Sequence, residues 1–147
     1  MRLSPHFTLE EFTLSQTASR FEIRNIPGPR ALERLKNTSK QMEKVRSLLG
    51  DFPIFISSGY RSPTLNSHPK VGGSKTSAHC KGDAADWVCR KYGSNYKAAC
   101  AVRDSGIEYD QLILEYGWIH LGFGSRMRQQ ELTKRSAAAP WENGINK

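Results

Sequence analysis

In the run Ser77-Ala78-His79-Cys80-Lys81-Gly82-Asp83-Ala84-Ala85-Asp86 an imidazole and a carboxylate stand seven residues apart, with a glycine between them. Gly82 frees the backbone to turn. The residues that follow, Ala84-Ala85-Asp86-Trp87-Val88-Cys89, read as an apolar strand in which an unpaired carboxylate is costly to bury. A cation beside Asp86 removes that cost. Asp83 is the competing carboxylate, but it precedes Asp86 by three, and strict alternation turns it to the opposite face. A second imidazole arrives downstream in Trp118-Ile119-His120-Leu121-Gly122-Phe123. Zinc takes four ligands, and two histidines with one aspartate leave a position open for water, which suits hydrolysis better than structural stapling. Spacing alone does not separate this reading from ordinary buried histidines. His6 and His68, which stand outside any such block, read as surface or core residues.

Working outward, Ser58-Gly59-Tyr60-Arg61-Ser62 precedes the run, and Asp110-Gln111-Leu112-Ile113-Leu114-Glu115 leads into Trp118-Ile119-His120. With Phe7-Thr8-Leu9-Glu10-Glu11-Phe12, these blocks resemble, in order and over roughly residues 7 to 130, the zinc D-Ala-D-Ala carboxypeptidase-like family of murein peptidases. Bacterial carboxypeptidases, vancomycin-resistance dipeptidases and many phage endolysins belong to it. The resemblance implies a hedgehog/DD-peptidase-like fold and one Zn2+ per chain on His79, Asp86 and His120. It also implies that Arg61 grips a substrate carboxylate, for which a planar guanidinium is suited, and that Ser77 donates a hydrogen bond to substrate or to a ligand. A loop serine and an arginine bonding loop carbonyls are the plainer alternatives. Tyr60, Asn66 and Trp118 are expected to shape the cleft.

Peptide hydrolysis also needs a group that takes up a proton and passes it to the leaving amine. Many relatives carry an acid three residues before the last histidine, where this chain has Gly117. The candidate is therefore Glu115, which a hairpin can bring to the same face as His120. A solvent-exposed turn glutamate is the alternative.

The chain's 147 residues suit one domain, expected over 1–135, with a weakly ordered tail over 136–147. No apolar run is long enough to span a membrane, so a soluble protein without stable membrane insertion, and a monomer, is expected. A net charge of +8 and a pI near 9.6 imply an acidic partner without choosing among nucleic acid, lipid and wall polymers. Cys80, Cys89 and Cys100 are odd in number and lack Cys-x-x-Cys spacing, so free thiols are expected. The amino terminus lacks the apolar core of a secretory signal. The expectation is synthesis in a host cytoplasm and action in the periplasm, at the wall or from a virion.

Thr8 and Glu11 form a capping-box pattern at a helix start. A helix-turn-helix could follow, but no second amphipathic helix precedes Ile26-Pro27-Gly28-Pro29, so no nucleic-acid partner is expected. Leu32, Leu35, Met42, Val45, Leu48 and Leu49 give the main helix, from Arg30 to Leu49, capped by Gly50. Ile54-Phe55-Ile56-Ser57 reads as a buried strand, residues 62 to 76 as a loop bordering a cleft, and Tyr96 to Ser105 as a second helix. Gln111 to Glu115 and Trp118 to Leu121 form a hairpin across Tyr116-Gly117. Arg126 to Arg135 is basic and expected to be partly helical. The fold class is α+β, with a small, mostly antiparallel sheet and flanking helices.

Three functions fit. The first is a zinc-dependent peptidoglycan (murein) peptidase that hydrolyses a bond in the stem peptide, as a phage endolysin or virion-associated lysin. The second is a bacterial D-Ala-D-Ala carboxypeptidase or dipeptidase of the same fold. The third is a non-catalytic cell-wall-binding or structural module that has lost its base, a reading that rests on Gly117.

Overall fold

The computed structural model describes residues 1–147. Its centre is a six-stranded mixed sheet. The first four strands in chain order are β3 (Phe55–Ser58), β4 (Ala84–Val88), β5 (Gln111–Leu114) and β6 (Ile119–Gly122), completed by β7 (Gln130–Thr133) and β8 (Glu142–Asn143). Across the sheet the order is β3-β4-β6-β5-β7-β8. Every neighbouring pair is antiparallel except β5 and β7. A small ribbon, β1 (Arg2–Ser4) with β2 (Phe7–Thr8), stands apart.

Side-chain alternation divides the sheet into two faces. Ala85 and Trp87 of β4, Ile119 and Leu121 of β6, and Leu112 and Leu114 of β5 belong to the hydrophobic core. Helices α3 (Pro29–Leu48) and α5 (Asn95–Arg103) pack over that core. Asp86, His120 and Ile113 lie one position out of phase and so take the other face, where the register pairs Asp86 with His120 and His120 with Ile113. The site therefore sits on the side of the sheet away from the main helices.

Helix α3 follows the expected apolar stripe through Leu35, Met42, Val45 and Leu49, all fully buried, while Leu48 is exposed. Thr38 and Ser39 fill the gap in the stripe as buried polar residues, and the Thr38 hydroxyl donates to the Gly82 carbonyl at 2.7 Å. Gly50 ends the helix at φ +88°. The capping box is present: Thr8 caps α1 (Leu9–Thr13), and the Glu11 carboxylate accepts from the Thr8 amide at 2.7 Å. Helix α2 (Gln16–Arg20) has only five residues, too short for a recognition helix.

The structure departs from expectation in four places. The sheet is larger than a small one, because Arg126–Arg135 is not helical but carries β7, whose alternation is masked by half-exposed residues at three of four positions. The segment beyond 135 is not a loose tail; β8 pairs with β7, and Ile145 enters the core. Strand β3 is an edge strand with Phe55 exposed, rather than a buried strand. Within residues 62–76, Ser62 caps a short helix α4 (Pro63–Ser67), which has proline at its first position as such helices favour.

Candidate metal and catalytic site

Strand β4 delivers Asp86 and β6 delivers His120 as direct cross-strand partners. His79 comes from a single 3-10 turn, Ala78–Lys81, capped by the Ser77 hydroxyl, which accepts from the His79 amide at 3.2 Å. That turn closes on Gly82 in the left-handed conformation, φ +81°, and a Cβ there would lie 2.5 Å from the Ala31 carbonyl of α3. The helix thus presses the turn against the sheet. Asp83 is engaged with Arg34 of α3 and is not among the residues that converge with Asp86.

The ligand-capable atoms of His79, Asp86 and His120 all lie within 4.8 Å of one another, and no other group of three such residues is assembled in the chain. His79 Nδ1 is 2.6 Å from the Gly59 carbonyl, so the neutral ring donates there and turns an unprotonated Nε2 inward. Burial pushes the His79 imidazole further below its ordinary pKa. Burial acts to raise the Asp86 carboxyl, but the two imidazoles outweigh it and hold the carboxyl well below the usual range. Two electron-rich atoms then face each other, His79 Nε2 and Asp86 Oδ1, at 3.2 Å, while His120 Nδ1 is 3.0 Å from the same oxygen. A proton or a cation is needed among them. The donor set, two nitrogens and a carboxylate, and the backbone bond that fixes one tautomer fit zinc.

The cluster opens into a cleft of about 800 Å3 lined by Arg61, Ser77, Glu115 and Trp118, among others. Glu115 pairs across the hairpin turn with Trp118, its amide donating to the Trp118 carbonyl at 3.0 Å. It is thus a diagonal neighbour of His120 on the same face, at the roughly 7–8 Å typical of such pairs. Its carboxylate is half-buried and accepts from the Trp118 indole at 2.9 Å. Burial, reinforced by the Asp86 charge, raises its pKa against the opposing effects of His120, the indole bond and Arg61. An exposed turn glutamate would have none of these features. Gly117, by contrast, is exposed in the turn at φ +141°, where a side chain is strained and would meet nothing within 4 Å.

Arg61 extends beside the cluster, its Nη2 donating to Ser77 Oγ at 3.3 Å and its buried Nε having no partner. Burial lowers its pKa, against the pull of the Asp86 and Glu115 charges. Ser77 Oγ, occupied by two donors, orders the turn and the guanidinium. Of the expected cleft-shaping residues, Trp118 lines the cleft, whereas Tyr60 lies in the core and Asn66 is buried under the loop, its amide donating to the Ser74 carbonyl at 2.8 Å. His6 pairs with Glu43, and His68 stacks on Phe21. All three cysteines are free.

Sequence reasoning missed three contributors. The Gly59 carbonyl acts through backbone and leaves no side-chain signal. Lys81 and Arg126 line the cleft without an ion pair, whereas Arg34 and Arg128 are neutralised by Asp83 and Asp110. An excess of cations over free carboxylates was visible in the net charge but not its location.

No curated protein matches the chain. The family profile described as Peptidase M15 matches residues 5–122, a span that contains the 3-10 turn, β4 and the hairpin carrying His120. The chain belongs to that family, the zinc D-Ala-D-Ala carboxypeptidase-like metallopeptidases.

Proposed function

We propose that this protein is a zinc-dependent murein peptidase that hydrolyses a peptide bond in the stem, with the role of a phage endolysin or virion-associated lysin. The observation that carries the reading is the meeting, in one cleft, of the His79, Asp86 and His120 cluster with a carboxyl of raised pKa and a guanidinium lacking a carboxylate partner. His79 Nε2, His120 Nδ1 and an Asp86 oxygen would hold one zinc ion per chain. When bound, the ion supplies Lewis acidity, polarising a carbonyl and acidifying water.

The chain's own residues do the rest. Arg61 binds a carboxylate of the stem through paired N–H donors and orients the scissile bond. Glu115, held by the Trp118 indole through one oxygen, keeps the other for proton transfer. A carboxyl raised above its ordinary pKa is a stronger base towards water than an exposed one, and a larger fraction of it is protonated and available to a leaving amine. Lys81 and Arg126 favour an acidic substrate, and the chain's positive charge favours docking on an anionic wall. No helix is long and apolar enough to cross a membrane. Of the alternatives, the non-catalytic module is disfavoured by the position of Glu115. A carboxypeptidase or dipeptidase of the same fold uses the same groups and differs in the fragments it releases.

The test is mass analysis of fragments released from purified murein by the zinc-loaded protein. Release of stem-peptide fragments, absent with Glu115→Gln, is expected and identifies the bond. Intact murein after incubation with zinc-replete, folded protein would refute the reading.

A further inference from the structure

We infer that the C-terminal segment adds a second recognition subsite, in which the Trp141 indole stacks a sugar ring of the glycan strand to which the stem peptide is joined. The inference rests on the murein-peptidase reading above. Trp141 lies beyond the span that matches the family and on the segment that sequence alone gave no structural role. It nevertheless lines the same cleft as Glu115 and His120.

The register explains why. Thr133 pairs with Glu142, so one step further along the antiparallel ladder Lys134 stands opposite Trp141. Leu114 pairs with Thr133, and the Lys134 amide donates to the Leu114 carbonyl, which carries the parallel ladder on to Glu115 opposite Lys134. Trp118, Glu115, Lys134 and Trp141 therefore form one row just beyond the ends of β6, β5, β7 and β8, one repeat along from the row that holds Asp86 and His120. Lys134 Nζ sits 4.6 Å from the centre of the Trp141 ring, which fixes the indole from one side. Tyr116 packs edge-on against Trp118 at 4.7 Å between ring centres.

The Trp141 ring is expensive to leave wet, yet it is 56% exposed and borders the cleft. It is flanked by polar groups in its own row, Lys134 and Glu115, and is not set in an enclosed apolar pocket. A pyranose ring matches that surface, with a flat C–H face for an indole and hydroxyls at its edge left in water; an apolar side chain would leave the polar rim unused. The separation also fits. From β6 to β8 there are three inter-strand spacings of about 4.8 Å, so roughly 14 Å, which about four residues of extended peptide span. That is the reach of a short stem from its scissile bond to its sugar.

The experiment compares zinc-loaded wild type and Trp141→Ala on two soluble substrates, the free stem peptide and the same peptide carrying its disaccharide. The expected result is a fall in kcat/KM of about three- to tenfold on the disaccharide-linked substrate alone, the range for loss of one aromatic stack. Trp141→Tyr should restore most of it, with the melting temperature unchanged throughout. An equal fall on both substrates, or no change on either, overturns the inference while leaving the peptidase reading intact. A wild-type protein inert on both overturns the two together.

Discussion

The groups that line the cleft fall into two sets, held differently. In one, each group has a partner that fixes it: His79 is held by the Gly59 carbonyl, the turn by α3 through Gly82, and Asp83 by Arg34. In the other the groups are under-committed. Arg61 has a buried Nε with no partner, Glu115 a single indole bond, and Lys81 and Arg126 no ion pair. The difference separates two tasks. A metal site needs fixed donors, because misplaced ligands lose affinity, whereas groups that meet a substrate must keep free donors and acceptors until it arrives.

Breaking the fixed set should have the largest effect. His120→Ala is expected to abolish stoichiometric zinc binding and reduce peptide release to background, read by metal analysis alongside turnover. Full occupancy with full activity in that variant would remove His120 from the site.

In the under-committed set, Glu115→Gln should leave zinc content and folding intact while turnover falls by roughly two to four orders of magnitude, the usual contribution of a positioned acid–base group. Metal content and turnover measured on the same sample separate the two sets. Loss of both together would place Glu115 with the fixed groups and refute its assigned role.

Much of this division was legible in the chain. The choice of Asp86 over Asp83 follows from strand alternation, and the hairpin pattern puts Glu115 and His120 on one face. The capping box at Thr8 and the apolar stripe of α3 were equally plain, since both are local patterns with fixed spacing. What escaped was non-local or carried by backbone. The Gly59 carbonyl contacts His79 across 20 residues and has no side-chain signature. Strand β7 reaches its parallel partner through a crossover, and its basic flanks read as helical. The role of β8 is set by pairing alone, so Trp141, which precedes that two-residue strand, looked like a tail residue.

Two smaller effects sharpen the contrast. Arg61→Lys keeps the charge but loses the two-pronged grip, and an increase in KM of about ten- to a hundredfold is expected from one lost charge-assisted hydrogen bond, with kcat and melting temperature little changed. A loss of stability without a kinetic change would make Arg61 a loop fastener. Gly82→Ala acts on the fixed set through folding. The left-handed backbone costs an alanine about 1–2 kcal/mol, before the Cβ displaces the Ala31 carbonyl. A fall in melting temperature of at least about 2–4 °C should follow. An unchanged melting curve would mean that α3 does not press on the turn.

The least effect is expected from acid, acting at the far end of the cleft. The Asp110 carboxylate accepts from Arg128 at 2.8 and 2.9 Å through the guanidinium and at 3.0 Å through the backbone amide, pinning the segment between β6 and β7 to the start of β5. The guanidinium bonds hold the Asp110 carboxyl below its ordinary pKa; burial opposes them, and the amide bond adds to them. A carboxyl depressed in the folded state binds its proton less readily there than in the unfolded chain. Its contribution to stability is therefore full above the ordinary aspartate pKa, about 3.9, and is lost as pH falls from there through the folded value. Asp110→Asn should flatten that part of the acid limb of a stability–pH profile while leaving zinc binding at neutral pH untouched. Asp83 makes the opposite control: burial, its dominant influence, raises its pKa despite Arg34, so its ionised form contributes no comparable acid-sensitive stability. Identical acid limbs for wild type and Asp110→Asn would show that the Arg128 contact orders the segment without storing pH-dependent stability.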